Sequence, residues 1–392
     1  MNLQSHREPS IQYGIVTGSY WAFTLTDGAL RMLVVLFFHE LGFSPLEVAS
    51  LFLLYEFFGI ITNLVGGWLA SRIGLNMTMH AGLALQIIAL SMLLVEPSML
   101  TIPYVMVAQA LSGVAKDLNK MSAKSSIKAL IKDDGGLYKW IAALTGSKNA
   151  LKGVGFFLGG VLLARFEFQG ALIAMILLLG VTLALSVLLL ERNAGVTTYK
   201  AKFTDLFSKS PAINRLSMAR FFLFAARDIW FVVALPVYLQ SQLGWSYTAV
   251  GTLLAAWVIA YGLVQGNAPK ITGPAPNAQS AWRWACLLIF IPAAIALALI
   301  AQWPTTWVLI IGLFAFGFVF AINSSIHSYL IVSWARHDGV SLDVGFYYMA
   351  NAAGRLLGTI LSGLVYQFWG LAACLLIASL LVAASAYFAK KS

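Results

Sequence analysis

With 392 residues, 60% of them hydrophobic and only 10% charged, the chain cannot present a surface that water solvates, for which about 25% charge is usual. Its formal net charge of +10 would suit nucleic acid in a soluble protein, but the placement of that charge along the chain argues against nucleic acid as a partner. Cys286 and Cys374 both lie in apolar runs and offer neither a disulfide framework nor metal spacing, and no cofactor is expected.

The first twelve residues are polar, and the apolar run after them lacks the cleavage site of a signal peptide, so the first span is expected to be retained. A helix needs about 20 residues to cross the hydrocarbon core. Twelve segments reach that length, at roughly 13–38, 45–70, 77–95, 101–124, 139–164, 170–190, 213–239, 246–266, 282–301, 305–334, 342–367 and 370–389. The longest polar interval, 191–212, carries Arg192, Lys200, Lys202 and Lys209. It is expected to be a cytoplasmic linker between two six-helix bundles, 1–190 and 213–392. The fold class is therefore an all-α membrane protein of twelve transmembrane helices in two pseudo-symmetric halves.

Orientation follows from the Lys and Arg count. With a cytoplasmic N-terminus, fifteen cations fall on the inside, among them Arg7, Arg72, Lys132 and Arg336, and only Arg165 falls outside. Both termini are expected to be cytoplasmic. These basic loops need no role beyond topology.

The halves resemble each other. LGFS at 41–44 recurs as LGWS at 243–246, an offset of 202. Gly67–Gly74 closes the second span as Gly266–Gly273 closes the eighth, at offset 199. Asn149-Ala150 precedes Lys152, Gly155 and Gly160, and Asn351-Ala352 precedes Arg355, Gly358 and Gly363. Near-constant spacing over three helix pairs points to duplication. The stretch 67–76 resembles the loop signature of the major facilitator superfamily, and implies that fold. Gly67, Arg72 and Gly74 fit it, as a loop that moves with the conformational change. Ser71 stands where that signature has Asp, so the ion pair that this Asp makes is not expected here.

Nine cations remain inside spans: Arg31, Lys116, Lys120, Lys124, Lys148, Lys152, Arg220, Arg227 and Arg355. Four acids accompany them: Asp27, Glu56, Asp117 and Asp228. Facing lipid, nine cations would cost on the order of 20 kcal/mol, so they are expected to face a polar interior or one another. Lys116, Lys120 and Lys124 are spaced by four and share a face, as do Lys148 and Lys152. Asp27 and Arg31, also four apart, can pair, and Arg227 and Asp228 sit at roughly the same depth in the seventh span. Nine cations over four acids leave five positive charges, and an unpaired positive cavity is unstable unless an anion enters it. Arg forks suit phosphate or arsenate oxygens, and Lys supplies point charge. Arg31, Lys116, Lys120, Lys148, Lys152, Arg227 and Arg355 are the candidate substrate-binding residues. Asp27, Glu56, Asp117 and Asp228 are candidates for ion pairing or proton coupling, Glu56 equally for a hydrogen-bonded structural acid.

Gly153-Val154-Gly155 follows no strand, and Gly146-Ser147-Lys148 lacks the upstream glycine of a phosphate loop, so neither marks a nucleotide site. The histidines are scattered without metal spacing. With no ATPase motif and no nucleophile–base pair, transport by gradient, exchange or partner is expected rather than enzymatic activity.

YWAFTLTDGALRMLVVL (20–36), YEFFGIITNLVGGWLASRIGLN (55–76), AQALSGVAKDLNKMSAKSSIK (108–128) and LTGSKNALKGVGFFLGG (144–160) resemble the organoarsenical efflux permeases (ArsJ) of bacterial arsenic-resistance operons. The resemblance is strong over the first half and looser beyond, through RFFLFAARDIWFVVALPVYL (220–239). It implies export of 1-arseno-3-phosphoglycerate, made from arsenate by a partner glyceraldehyde-3-phosphate dehydrogenase. The residues alone reach only a multiply charged oxyanion. Facilitators for phosphorylated sugars also resemble this chain in placing Arg on the first and seventh helices, here Arg31 and Arg227. An organophosphate or phosphate exchanger and a proton-coupled drug exporter are the rival readings. A monomer in membrane lipid is expected.

Overall fold

Long apolar runs with few breakers, each bounded by Gly or Pro, can satisfy their backbone in lipid only as helices. The computed structural model describes residues 9–43, 47, 50–130, 134–190, 210–336 and 340–391, and among them there is no strand. The helices are α1 (Pro9–Glu40), α2 (Leu53–Ile73), α3 (Leu75–Met92), α4 (Ile102–Leu130), α5 (Asp134–Leu189), α6 (Pro211–Phe231), α7 (Ala234–Ser241), α8 (Tyr247–Thr272), α9 (Ala278–Ile300), α10 (Thr305–Trp334) and α11 (Val340–Lys390). Of the linker expected at 191–212, residues 191–209 lie outside the described residues, and with them Arg192, Lys200, Lys202 and Lys209. Arg7, Lys132 and Ser44 of the LGFS repeat lie outside them too.

Eight helical segments are long and apolar enough to cross a membrane. Two of them hold 54 and 51 residues, about 80 Å of helix each, against a hydrocarbon core of about 30 Å. Each is interrupted once, at Glu167 in α5 (φ 59°, ψ −176°) and at Gly370 in α11 (φ 75°, ψ −175°). The α1 and α4 helices are not among the eight; their apolar runs carry Asp27 and Arg31, and Lys116, Asp117, Lys120 and Lys124.

The backbone repeats what the sequence pattern suggests. Positive φ occurs at Gly42 and Gly244, at Gly74 and Gly273, and at Glu167 and Gly370. Those pairs stand 202, 199 and 203 residues apart, the same offsets as the sequence matches. The last pair is invisible to sequence comparison because one partner is Glu, a residue that rarely adopts this conformation.

The chain divides into two compact units. One holds Met1–Trp140, Leu151–Leu206 and Arg336–Gly345; the other holds Ile141–Ala150, Phe207–Ala335 and Phe346–Ser392. The second unit has an aromatic core in which Trp230 meets Phe316 edge-on at 5.3 Å and Phe316 stacks on Phe320 at 5.4 Å. Large apolar side chains such as Phe157, Phe290, Trp369 and Leu380 stay more than half exposed. Lipid, not water, is the solvent in which such a surface is stable.

Candidate functional site

In the first unit, glycines bring the charged helices together. A Cβ on Gly28 would meet the Lys152 carbonyl at 2.8 Å, and one on Gly155 the Leu25 carbonyl at 2.5 Å. One on Gly159 would collide with the carbonyl of Ala29. Only bare backbone allows α1 and α5 to approach so closely. That approach sets Lys152 Nζ 3.5 Å from Asp27 Oδ2, while Tyr55 of α2 donates its hydroxyl to Asp27 Oδ1 at 2.7 Å. Likewise Gly113 of α4 faces the Tyr55 carbonyl, and Gly59 of α2 faces Asp117 Oδ2.

Arg31 and Asp27 share a face of α1, yet each finds a partner on another helix. Arg31 Nη2 lies 3.4 Å from Glu56 Oε1, and its guanidinium is 5.0 Å from the centroids of both Phe52 and Tyr55. Lys116 Nζ stands 3.8 Å from the Tyr55 ring centroid and 3.8 Å from Asp117 Oδ2. Lys120 Nζ donates to Asp117 Oδ1 at 2.6 Å. Lys124 is buried on the same face of α4. Five cations and three acids thus converge in this unit, with Tyr55 at the junction touching Asp27, Arg31 and Lys116.

The second unit repeats the device with a different balance. Asp228 is 1% exposed and shared: Arg227 Nε lies 2.5 Å from its Oδ1 and Arg355 Nε 3.4 Å from its Oδ2. Glycines again set the spacing, since a Cβ on Gly358 would meet the Ala225 carbonyl at 2.7 Å and Asp228 Cβ at 2.9 Å. Lys152–Asp27 and Arg355–Asp228 are therefore equivalent pairs, one per half. Arg227 also stacks over Phe224 at 4.6 Å. Lys148 Nζ donates to Asn149 at 3.1 Å, and Asn149 donates to Gln265 of α8 at 2.5 Å. Lys148 and Lys152, joined in sequence by their spacing, thus serve different units. Arg220 is 4% exposed, with Nε on Asn351 at 2.8 Å and Nη1 on the Ser324 hydroxyl at 2.9 Å. Four cations and one acid sit in this unit.

Sequence reasoning missed Tyr55, Asn351 and Ser324 as partners, and it passed over His327 and Asn323, both fully buried on α10. Asn351 lay inside the recognised repeat; Tyr55 adjoins Glu56; nothing in the sequence pattern singles out His327. Among the described residues no group of three His, Cys, Asp or Glu could hold a metal ion.

A family model described as Major Facilitator Superfamily matches residues 16–295 and again 216–391. The chain belongs to the Major Facilitator Superfamily. It is a multi-pass membrane transporter. The double match agrees with the duplicated backbone. Solved structures with the same fold include the human organic anion transporter MFSD10 (TETRAN), at TM-score 0.75 and 16% identity over 99% of this chain and 100% of that one. The E. coli fucose:proton symporter FucP follows at 0.74 and 10%, over 98% and 99%. A bacterial homologue of the iron transporter ferroportin, in an outward-facing state, gives 0.75 and 15% over 97% and 98%. No curated protein matches the chain.

Of the residues expected in a loop, Gly67 and Arg72 lie within the last turns of α2 and only Gly74 lies beyond it, because the helix runs on to Ile73. Gly67 packs on the backbone of Ser341 and Leu342, where a Cβ would collide with the Ser341 carbonyl, and Gly74 takes φ 94° as the C-cap of α2. Arg72 lies over Trp68 at 4.5 Å, and Ser71 donates to the Trp68 carbonyl at 2.7 Å. A bidentate acid pair occurs at the start of α11 instead. Asp343, 1% exposed, accepts from Arg336 Nη2 at 2.8 Å and from Arg336 Nε at 3.2 Å.

Proposed function

We propose that this facilitator exports an organic oxyanion by alternating access, conferring arsenate resistance, with 1-arseno-3-phosphoglycerate as the cargo that the organoarsenical permease resemblance implies. The observation that carries the anionic cargo is the excess of cations over acids among the charges predicted within spans, five over three and four over one, an excess that narrows to five over four in the first unit when the buried Asp343, paired with half-exposed Arg336, is added. Among the assigned cations, Arg31, Lys120, Lys152, Arg227 and Arg355 have side chains only 15–30% exposed. They are therefore not a solvated rim. Arg227 and Arg355 share one carboxylate, and guanidinium forks of this kind suit phosphate or arsenate oxygens.

In this reading Arg31, Lys116, Lys120, Lys148, Lys152, Arg227 and Arg355 bind the anion. Asp27, Glu56, Asp117 and Asp228 hold these cations between transport events, and Asp27 or Asp228 exchanges its cation for a proton as the anion binds. Gly67 and Arg72 at the end of α2, with the C-cap Gly74, are the segment that re-packs between states. The chain crosses the bacterial inner membrane twelve times as two six-helix bundles, with the linker and both termini cytoplasmic. It works as a monomer on the product of a glyceraldehyde-3-phosphate dehydrogenase partner. Relatedness in fold to a protein described as an organic anion transporter is compatible with this reading.

The test is uptake of enzymatically made organoarsenical by everted vesicles. Wild-type vesicles should accumulate it, and Arg31→Ala or Arg227→Ala should abolish accumulation. Uptake unaffected by either change would remove the site assignment. The second reading, an organophosphate or phosphate exchanger, is favoured by the arginine pair Arg31 and Arg227. It predicts uptake only into vesicles preloaded with phosphate. A drug exporter would tolerate Lys120→Gln, which an oxyanion carrier would not.

A further inference from the structure

In the C-terminal half of α10, Asn323, Ser324, Ser325, His327 and Ser328 are each at most 1% exposed. Residues 323, 324 and 327 share one face of the helix. Neither nitrogen of His327 has a hydrogen-bond partner, and neither end of the Asn323 amide has one. Gln265 of α8 reaches the same stretch, its carbonyl accepting from Ser325 at 3.5 Å, and its Nε2 is also without a partner.

Beside this face lies Arg220, bonded through Ser324. Its bonds go to the neutral groups Asn351 and Ser324, and it stacks on Phe224 at 4.0 Å. Among the described residues no carboxylate lies within ion-pair distance of it. A buried guanidinium without an anion and buried polar atoms without partners are each destabilising, the latter by about 1–3 kcal/mol per group. An apolar α10 would avoid that cost. One event relieves both: an oxyanion that takes up the guanidinium charge and carries a hydroxylated or carbonyl carbon next to it. A neutral imidazole offers one donor and one acceptor, and an amide offers both kinds, which suits a hydroxyl better than bare charge.

We infer that Arg220, Asn323 and His327 form a second oxyanion subsite, distinct from the Arg227–Asp228–Arg355 cluster, that binds a phosphate-class head together with its neighbouring oxygenated carbon. Arg220 and Arg227 are seven residues apart on one face of α6, about 10 Å along the axis. A solute with two charged heads on a short carbon chain can address both. The subsite deepens the reading that the cargo is an anion and rests on it.

The test uses the full chain in lipid nanodiscs, labelled with 15N-histidine, the His327 signal being identified by its loss in His327→Gln. Glycerol 3-phosphate and inorganic phosphate should move that signal, and glycerol should not. No movement with glycerol 3-phosphate, or equal movement with glycerol alone, overturns the subsite. The paired variant Asn323→Leu/His327→Phe should unfold at a higher temperature, yet bind glycerol 3-phosphate about tenfold more weakly. Unchanged affinity would mean a packed polar core and nothing more. If the paired variant leaves vesicle uptake intact while Arg227→Ala abolishes it, the subsite is lost and the anion reading stands. If neither changes uptake, both fall.

Discussion

Asp27 and Asp228 occupy equivalent places but bear different loads. Asp27 receives one lysine at 3.5 Å and a tyrosine hydroxyl at 2.7 Å, whereas Asp228 holds two arginines. Removing one member of a buried pair leaves an uncompensated charge; removing both is far milder. Asp27→Asn should lower thermal stability in detergent by up to about 3 kcal/mol, and adding Lys152→Met should restore most of it. Transport should stay lost in the double variant, because Lys152 is also assigned to the anion. Asp228→Asn should be the more damaging single change, since it removes the carboxylate that two guanidinium groups share. Equal unfolding temperatures for the two Asn variants would contradict this account. The existence of these charges was readable from their positions in apolar runs. Their partners were not. Helical spacing brings Asp27 and Arg31 to one face, but α5 supplies Lys152 to Asp27 and α2 supplies Glu56 to Arg31.

Helix contacts explain why the pairs form where they do. On α5, Gly155 and Gly159 meet carbonyls of α1, whereas Gly180, on the same helix, has no atom within 4 Å of where a Cβ would stand. Gly159→Ala should therefore destabilise by about 1–3 kcal/mol. Gly180→Ala should be neutral or stabilising by up to about 1 kcal/mol, as expected for exchange of Gly for Ala in a helix. Gly358→Ala should behave like Gly159→Ala, because it meets α6 in the same way. Unfolding temperatures of the three variants, measured side by side, check the argument. A uniform effect would mean helix propensity dominates and close approach does not matter. Gly155 and Gly358 stood in the recognised repeat; which helices they faced was not legible there.

At the scale of the whole molecule, duplication and orientation are the two global properties. Duplication shows in the backbone, where Glu167 and Gly370 break their helices at the same offset as the Lys152 and Arg355 pair. Orientation rests on the cation count. In a chain with Cys286 and Cys374 replaced by alanine, Arg165→Cys should react with an impermeant thiol reagent from outside intact cells. Lys391→Cys should react only in everted vesicles. The reverse pattern would invert the topology and with it the direction of transport.

By itself, the amino-acid sequence determined that this chain lives in lipid, that it consists of helices, that its halves repeat, and that its interior is positively charged. Those properties depend on composition and on periodicities along the chain, which are local quantities. Only the tertiary structure decided that Lys152 belongs to Asp27 and Arg355 to Asp228, that Lys148 and Lys152 part company, and that Arg220 meets the face of α10 that carries Asn323 and His327. Such pairings depend on whether helices distant in sequence approach within about 3 Å of a side-chain atom, and no spacing within one helix encodes that distance.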